Sequence, residues 1–228
     1  MAISKSRPST TGKSLRQGGT VRIVLLFAIL LLIAIVALAT PQDRDHDRDH
    51  DRDRDGIRVS RESFPRDFGG GHGGRPSPNA QCEPGFVAVG FHVQTGEYFN
   101  QAWLDCARLR PDGSLGDDER MTERTGSPGG HQIHDAHCPE RRALRGLRGR
   151  TGASIDEAIG ECSYVREIAE RRDDARYEMT EPVMRPHAEG RPAEVQCPPG
   201  AVVTGFQSMS GSYMDHLWIL CSELHRGD

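Results

Sequence analysis

From residue 82 onward, apolar and polar positions recur in a pattern that is present three times. Each copy begins and ends with a cysteine, 24 positions apart. Large apolar residues stand 9, 17 and 21 positions after the first cysteine, glycines at 8 and 14, and Asp or Asn at 18. The apolar residues are Phe91, Phe99, Trp103, Leu147, Ile155, Ile159, Phe206, Met214 and Trp218. This period of 56 to 59 residues predicts three copies of one supersecondary unit, none of which buries its apolar face alone.

Each copy predicts a β-hairpin, because β-branched and aromatic residues flank a turn that contains glycine, as in GAVVTGFQ, SMSG and SYMDHLWIL. If Cys197 and Cys221 face each other across such a hairpin, the turn lies near Met209, two residues before Gly211. Six cysteines allow 15 pairings, and the equal spacing favours pairing within each copy. The favoured pairs are Cys82 with Cys106, Cys138 with Cys162, and Cys197 with Cys221.

Short recurrences upstream of the cysteines extend the unit. The sequence MTE occurs at residues 121–123 and 179–181, and GRP occurs at 74–76 and 190–192. A unit of about 50 residues is therefore predicted, with a strand near MTE, a Gly/Pro connection, a short strand entering the first cysteine, and the hairpin. Three such units predict twelve strands, with residues 78–228 as the folded domain.

The start of the chain predicts export. Residues 1–22 carry five cations and no acid, and residues 23–39 are uninterruptedly apolar, long enough for about 25 Å of helix. This run is either an uncleaved transmembrane signal anchor or a signal peptide cleaved after Ala39, and the basic flank keeps the N-terminus cytoplasmic. The remainder is expected to be extracytoplasmic, membrane-anchored or secreted, and paired cysteines agree with that oxidising location.

Residues 40–77 are expected to be a disordered linker. They contain the low-complexity tract DRDHDRDHDRDRD and a Gly-rich patch, a composition that does not form a core. His46 and His50 in this tract are either part of a solvated spacer or weak ligands of a divalent metal.

Charge narrows the classes of partner. All 33 acidic residues lie beyond residue 40, whereas five of the 29 basic residues precede it, so the exported part has a net charge of −9. This argues against nucleic acid or anionic lipid as the ligand. The only lysines are Lys5 and Lys13, which excludes a lysine nucleophile in the exported part. We predict no cofactor.

The candidate binding positions follow the hairpin turns, where each copy reads G-x-x-x-D or G-x-x-x-N. An exposed carboxylate beside free backbone N–H groups can accept sugar hydroxyls, and a tyrosine in the turn can stack on a pyranose face. Alternatively, Asp or Asn at such positions bonds its own turn and has a purely structural role. The residues concerned are Gly96, Tyr98, Asn100, Gly152, Asp156, Gly211, Tyr213 and Asp215.

The threefold pattern CPxGxVxxGFxxxxGxYxDxxWxxC resembles the vitelline membrane outer layer protein family and its bacterial relatives, over nearly all of residues 78–228. That resemblance implies an all-β, pseudo-threefold β-prism of three four-stranded Greek-key sheets, similar to jacalin-related lectins, and carbohydrate binding at the loops of Asp156 and Asp215. Asn100 in the first copy and Pro-Glu-Arg-Arg in the second depart from the pattern. A β-trefoil is the alternative fold.

Other features predict little chemistry. His131, His134 and His137 alternate faces on a strand, so no metal site is predicted, and Trp103 and Trp218 are expected in the core. No phosphate loop, CxxC or zinc signature occurs, and no acid pair or Ser/His/Asp set breaks the repeat. We therefore predict a non-enzymatic, exported carbohydrate-binding module at the cell surface. The alternative is a structural or protein-interaction module of the envelope, with a cell-wall hydrolase as a third hypothesis.

Overall fold

The computed structural model describes residues 56–171, 176–184 and 189–227, and the regular structure in these ranges is almost entirely β-strand. The elements in these ranges are, in chain order, β1 (Ile57–Val59), β2 (Phe64–Gly70), β3 (Arg75–Pro76), β4 (Ala80–Gln81), β5 (Phe86–Thr95), β6 (Phe99–Leu109), β7 (Leu115–Met121), β8 (Thr125–Gly126), β9 (Gln132–His137), β10 (Ala143–Thr151), β11 (Ile155–Ser163), helix α1 (Val165–Ala169), β12 (Glu178–Met179), β13 (Val183–Met184), β14 (Arg191–Gln196), β15 (Ala201–Ser210) and β16 (Met214–Arg226). The predicted signal segment, residues 23–39, lies outside the described residues. No helix within the described ranges is long and apolar enough to cross a membrane.

The strands form three antiparallel sheets with four strand positions each. The first sheet has the order β9, β5, β6, then β7 and β8 end to end. The second has β14, β10, β11, then β12 and β13, and the third has β3 and β4, β15, β16, then β1 and β2. In the first two sheets the last strand in sequence returns beside the first, which is the Greek-key order. The predicted β-prism is confirmed, and the trefoil alternative is wrong.

A sheet does not coincide with a sequence repeat. The strands that precede the first cysteine of a copy are hydrogen-bonded to the hairpin of the preceding copy. For this reason β7 to β9 complete the sheet of β5 and β6. In the sheet of the third hairpin, β1 to β4 from the N-terminal side take the place of these outer strands. The predicted linker therefore ends too late, because residues 57–77 supply strands of the third sheet.

The three predicted disulfides are formed, but each joins two sheets. Their partners are Cys82 after β4 with Cys106 in β6, Cys138 after β9 with Cys162 in β11, and Cys197 after β14 with Cys221 in β16. The residue that faces Cys221 in the hairpin is Val203, so the turn lies at residues 211–213 and the prediction of a turn near Met209 is wrong. The prediction assumed that Cys197 faces Cys221 within one hairpin. It failed because Cys197 continues β14, which belongs to the neighbouring sheet.

The apolar positions 9 and 17 of each copy fill the space between the sheets. Phe91, Leu147 and Phe206 are at most 1% exposed, and the rings of Phe91 and Phe206 meet edge to face with centroids 6.1 Å apart. The two tryptophans differ from each other, because Trp103 is 4% exposed, as predicted for a core residue, whereas Trp218 is only partly buried. Trp103 and Trp218 lie outside the two apolar clusters and contact histidines on the sheets, because side chains of successive strand residues point to opposite faces.

Phe68 tests whether the N-terminal strand belongs to the core. It lies at a bulge in the pairing of β2 with β16 and is 3% exposed among core residues. We expect Phe68→Ala to lower the free energy of unfolding by about 3–5 kcal/mol, as for other buried phenylalanines. Denaturant unfolding measures it. Arg66→Ala on the same strand is exposed and should change stability by about 0.5 kcal/mol or less. Equal effects of both substitutions would contradict the pairing.

Candidate functional site

The three G-x-x-x-D/N turns meet at one end of the prism. The rings of Tyr98 and Tyr213, from the first and third turns, stack with centroids 4.4 Å apart and an interplanar angle of 24°. The Asn100 side-chain amide donates to the Ser212 carbonyl at 3.4 Å. Gly71, which precedes β3, lies against the backbone of Ala153 in the second turn. All three sequence-predicted turns are thus brought together.

Asp215 lies between its own turn and the segment of residues 71–74. Its Oδ2 accepts a hydrogen bond from the Gly211 N–H at 2.9 Å, and the residue is 8% exposed. A Cβ at Gly73 would lie 2.8 Å from Oδ1, and one at Gly74 would lie 2.6 Å from Oδ2. Gly74 also has a φ of +78°, which favours glycine. The carboxylate is therefore surrounded closely by backbone rather than by side chains.

The same arrangement recurs in the other two copies. A Cβ at Gly129 would lie 2.7 Å from Nδ2 of Asn100, and one at Gly190 would collide with Oδ2 of Asp156. Asp156 also accepts a hydrogen bond from the Ser154 hydroxyl at 3.3 Å. Each Asp or Asn thus lies against a glycine from the segment that leads into an outer strand.

These side chains are more enclosed than the sequence suggested. Asn100 is 7% exposed and Asp156 only 2%, whereas Gly152 and Gly211 in the turns are exposed. The expectation of an exposed carboxylate is wrong, because the glycine segments of the outer strands close over it. Tyr98 and Tyr213 are half-buried, and one face of each ring is taken by the other.

His216 positions the 71–74 segment beside Asp215, and sequence reasoning missed it. Its Nδ1 donates to the Gly71 carbonyl at 2.9 Å, and its Nε2 lies 2.7 Å from Oδ1 of Asp67 on β2. The ring of Trp218 lies close beside it, with centroids 4.1 Å apart. No local signal identifies this residue, since both of its partners are about 145 residues away.

A second polar cluster lies on the outer face of the first sheet. His92 on β5 is 6% exposed, and its Nδ1 lies 2.5 Å from Oδ1 of Asp135 on β9. Its Nε2 lies 2.7 Å from Oδ2 of Asp105 on β6, and Nδ1 of His137 lies 3.4 Å from that same oxygen. Of the three regularly spaced histidines, only His137 joins this cluster, since His134 bonds the Thr95 hydroxyl at 3.0 Å.

The second sheet has an ion-pair network at the matching positions. Arg148 occupies the place of His92, Glu161 that of Asp105, and Glu194 that of Asp135. Arg148 contacts Glu161 through Nε, and its Nη2 lies 3.1 Å from Oε1 of Glu194. Burial raises the pKa of Glu161, while the nearby charge of Arg148 acts to lower it.

The known proteins that resemble this chain share little sequence with it. No protein-family model and no curated protein matches the sequence. Similar solved structures include a Malaysian banana lectin, with a TM-score of 0.46 and 14% identity over 71% of this chain and 99% of that chain. Artocarpin complexed with methyl α-mannose has a TM-score of 0.49 and 12% identity over 72% and 99%. A mannose-binding lectin from champedak has a TM-score of 0.47 and 10% identity over 71% and 98%.

These solved structures are jacalin-like β-prism lectins. With at most 14% identity the likeness concerns the fold. The assignment of a β-prism rests on the three sheets and their strand order.

Glu161 gives a prediction about pH. Because its pKa is raised in the folded state, the ionised form disfavours folding. The stabilising effect of the protonated form is therefore fully present below the ordinary value of 4.5 and is lost as pH rises through the folded-state pKa. As the pH rises through this range, Glu161→Gln should become more stable relative to wild type. Melting temperatures of both proteins between pH 4 and 8 measure the difference. A variant that loses stability relative to wild type with rising pH would show that attraction to Arg148 dominates instead.

Proposed function

We propose that this chain is a carbohydrate-binding module whose binding surface is the end of the prism that carries the three G-x-x-x-D/N turns. The observation that carries the proposal is the threefold placement of an Asp or Asn side chain against a glycine segment with no room for a Cβ. Glycines let the backbone of the segment before the outer strand approach each polar side chain closely. Carboxylate acceptors beside backbone donors suit vicinal sugar hydroxyls, which both donate and accept.

The Asp215 turn is the best candidate of the three. Its carboxylate is charged, unlike Asn100, and its exposed fraction of 8% exceeds the 2% of Asp156. The Gly211 N–H donates a hydrogen bond to Oδ2 of Asp215. Within the described ranges, Oδ1 of Asp215 accepts no hydrogen bond from the protein. We assign Oδ1 the role of accepting a ligand hydroxyl. The stacked pair of Tyr98 and Tyr213 borders this turn and offers its remaining aromatic surface to the apolar face of a sugar.

A purely structural role is the second candidate, and the hydrogen bond from Gly211 to Asp215 favours it. This bond closes the turn, as expected for an aspartate that stabilises its own backbone. The two candidates differ in what a change at Asp215 affects. In one case the affinity for a glycan falls, and in the other the stability of the fold.

Replacing Asp215 with Asn separates these candidates. The amide keeps the shape and an acceptor for Gly211 but removes the charge, and hydrogen bonds to charged groups contribute about 1.5–3 kcal/mol against about 1 for neutral ones. We expect Asp215→Asn to weaken glycan binding by about 2- to 30-fold with little change in melting temperature. The best ligand from a glycan array, titrated by calorimetry, provides the measurement.

Glu97→Gln is the matched control, because it removes one charge from an exposed position of the adjacent first turn. It should leave both affinity and stability unchanged. A large loss of stability in Asp215→Asn with intact affinity per folded molecule would reject the binding role and favour the structural one.

We further propose that the module is exported and tethered to a membrane by residues 23–39. Support comes from the apolar run with its basic flank and from three disulfides, which persist in oxidising compartments. The negative charge of the exported part supports an uncharged or basic partner rather than nucleic acid.

N-terminal sequencing tests the tether. Protein purified from membranes should begin at or near Met1 and should remain in the membrane fraction after carbonate extraction. A mature N-terminus at Thr40 together with release into the soluble fraction would show that the segment is a cleaved signal peptide and that the module is secreted.

A further inference from the structure

We propose that His92, Asp105 and His137 form a binding site for a divalent transition-metal ion, with Zn²⁺ as the ion that the donor set suits best. One ligand atom of each residue lies within 4.8 Å of the other two. The site is on the outer face of the first sheet and is separate from the turn end described above. It therefore does not depend on carbohydrate binding.

The first argument comes from the proton on His92. Its Nδ1 is 2.5 Å from a carboxylate oxygen of Asp135, which can only accept a hydrogen bond, so the Nδ1 proton is fixed there. In the neutral imidazole the Nε2 atom then carries a lone pair, and this atom faces Oδ2 of Asp105 at 2.7 Å. Two electron-rich atoms at this distance repel each other unless a proton or a metal ion lies near both.

The second argument comes from unpaired buried atoms. His92 Nε2 and Asp105 Oδ2 are both buried, and neither makes a hydrogen bond despite their short separation. Asp105 is 5% exposed, and the charge of a buried carboxylate is costly unless a cation lies near it. A cation placed off the line between these two atoms, toward His137, satisfies both.

The third argument is the geometry of coordination. Around a tetrahedral zinc with bonds of about 2.0–2.2 Å, ligand atoms lie about 3.3–3.6 Å apart. His137 Nδ1 and Asp105 Oδ2 are already 3.4 Å apart. His92 Nε2 and Asp105 Oδ2, at 2.7 Å, need to move apart by about 0.6 Å. Two imidazole nitrogens and one carboxylate suit zinc rather than magnesium or calcium, which prefer oxygen ligands.

The residues around the cluster support the same reading. Asp135 fixes the orientation of the His92 ring, as carboxylates commonly do for metal-binding histidines. The indole of Trp103 stacks on the other side of His92, with centroids 5.1 Å apart and an angle of 11°. The side chains of Asp135 and His137 are 56% and 55% exposed, so an ion can enter from solvent and keep a water as its fourth ligand.

The matching positions of the second sheet show what this location requires. There Arg148 supplies a permanent positive charge beside Glu161 and Glu194. In the first sheet a histidine, whose side chain carries no permanent charge, stands between two carboxylates, Asp105 and Asp135. A divalent ion supplies the positive charge that Arg148 supplies in the second sheet.

Zinc titration of the full chain tests the site. His46 and His50 offer competing imidazoles, so both are replaced by Gln in every sample. After dialysis against a chelator, this background variant should bind one Zn²⁺ per chain by calorimetry, and Zn²⁺ should raise its melting temperature. Mg²⁺ at the same concentration should do neither. Absence of saturable Zn²⁺ binding would overturn the proposal.

Substitutions then locate the ion. His137→Gln removes an exposed ligand without disturbing buried packing and should lower Zn²⁺ affinity by more than about 100-fold, whereas Asp135→Asn, which acts through His92, should lower it by about 10- to 100-fold. His131→Gln changes another exposed histidine that precedes β9 and should have no effect. Unchanged affinity in His137→Gln, or an equal loss in His131→Gln, would place the ion elsewhere and overturn the proposal.

Discussion

The structure depends on one constraint, the exchange of strands between successive copies of the repeat. Each sheet combines the hairpin of one copy with outer strands from the next, so no single copy can form a complete sheet. In the sheet of the third hairpin, the N-terminal strands β1 to β4 take the role of these outer strands. Pairing of β2 with β16 joins residues about 150 positions apart, which makes the fold cooperative from end to end. It also explains why residues that look like a linker are part of the domain.

The disulfides stabilise the points where the chain crosses from one sheet to the next. Each first cysteine ends an outer strand of one sheet, and its partner lies in the hairpin of the next sheet. The three bonds therefore connect the sheets in a closed ring. On the chain-entropy estimate, each loop of about 25 residues adds roughly 3.5 kcal/mol, although the origin of this stabilisation is disputed. Such bonds compensate for a modest apolar content in a domain of this size.

The sequence allowed the fold to be predicted where a signal repeats and depends on local spacing. The cysteine pairs, the hairpins and the buried positions of Phe91, Leu147 and Phe206 follow from periodicity alone. The turn position was wrong because the argument assumed that paired cysteines face each other within one sheet. The roles of His92 and His216 could not be predicted, since their partners come from distant strands brought together by the sheets.

The two candidate sites differ in how they relate to the internal symmetry. At the turn end, all three copies have a glycine segment beside an Asp or Asn, because the close approach of two backbones leaves no room for a Cβ there. On the outer faces no such restriction applies, and the matching positions hold His92 and Asp105, Arg148 and Glu161, or Gln207 and Leu220. A function that benefits from several equivalent contacts, such as binding a repeating glycan, therefore fits the turn end. A function that needs one particular set of donors, such as binding a metal ion, fits an outer face where a single copy can differ from the others.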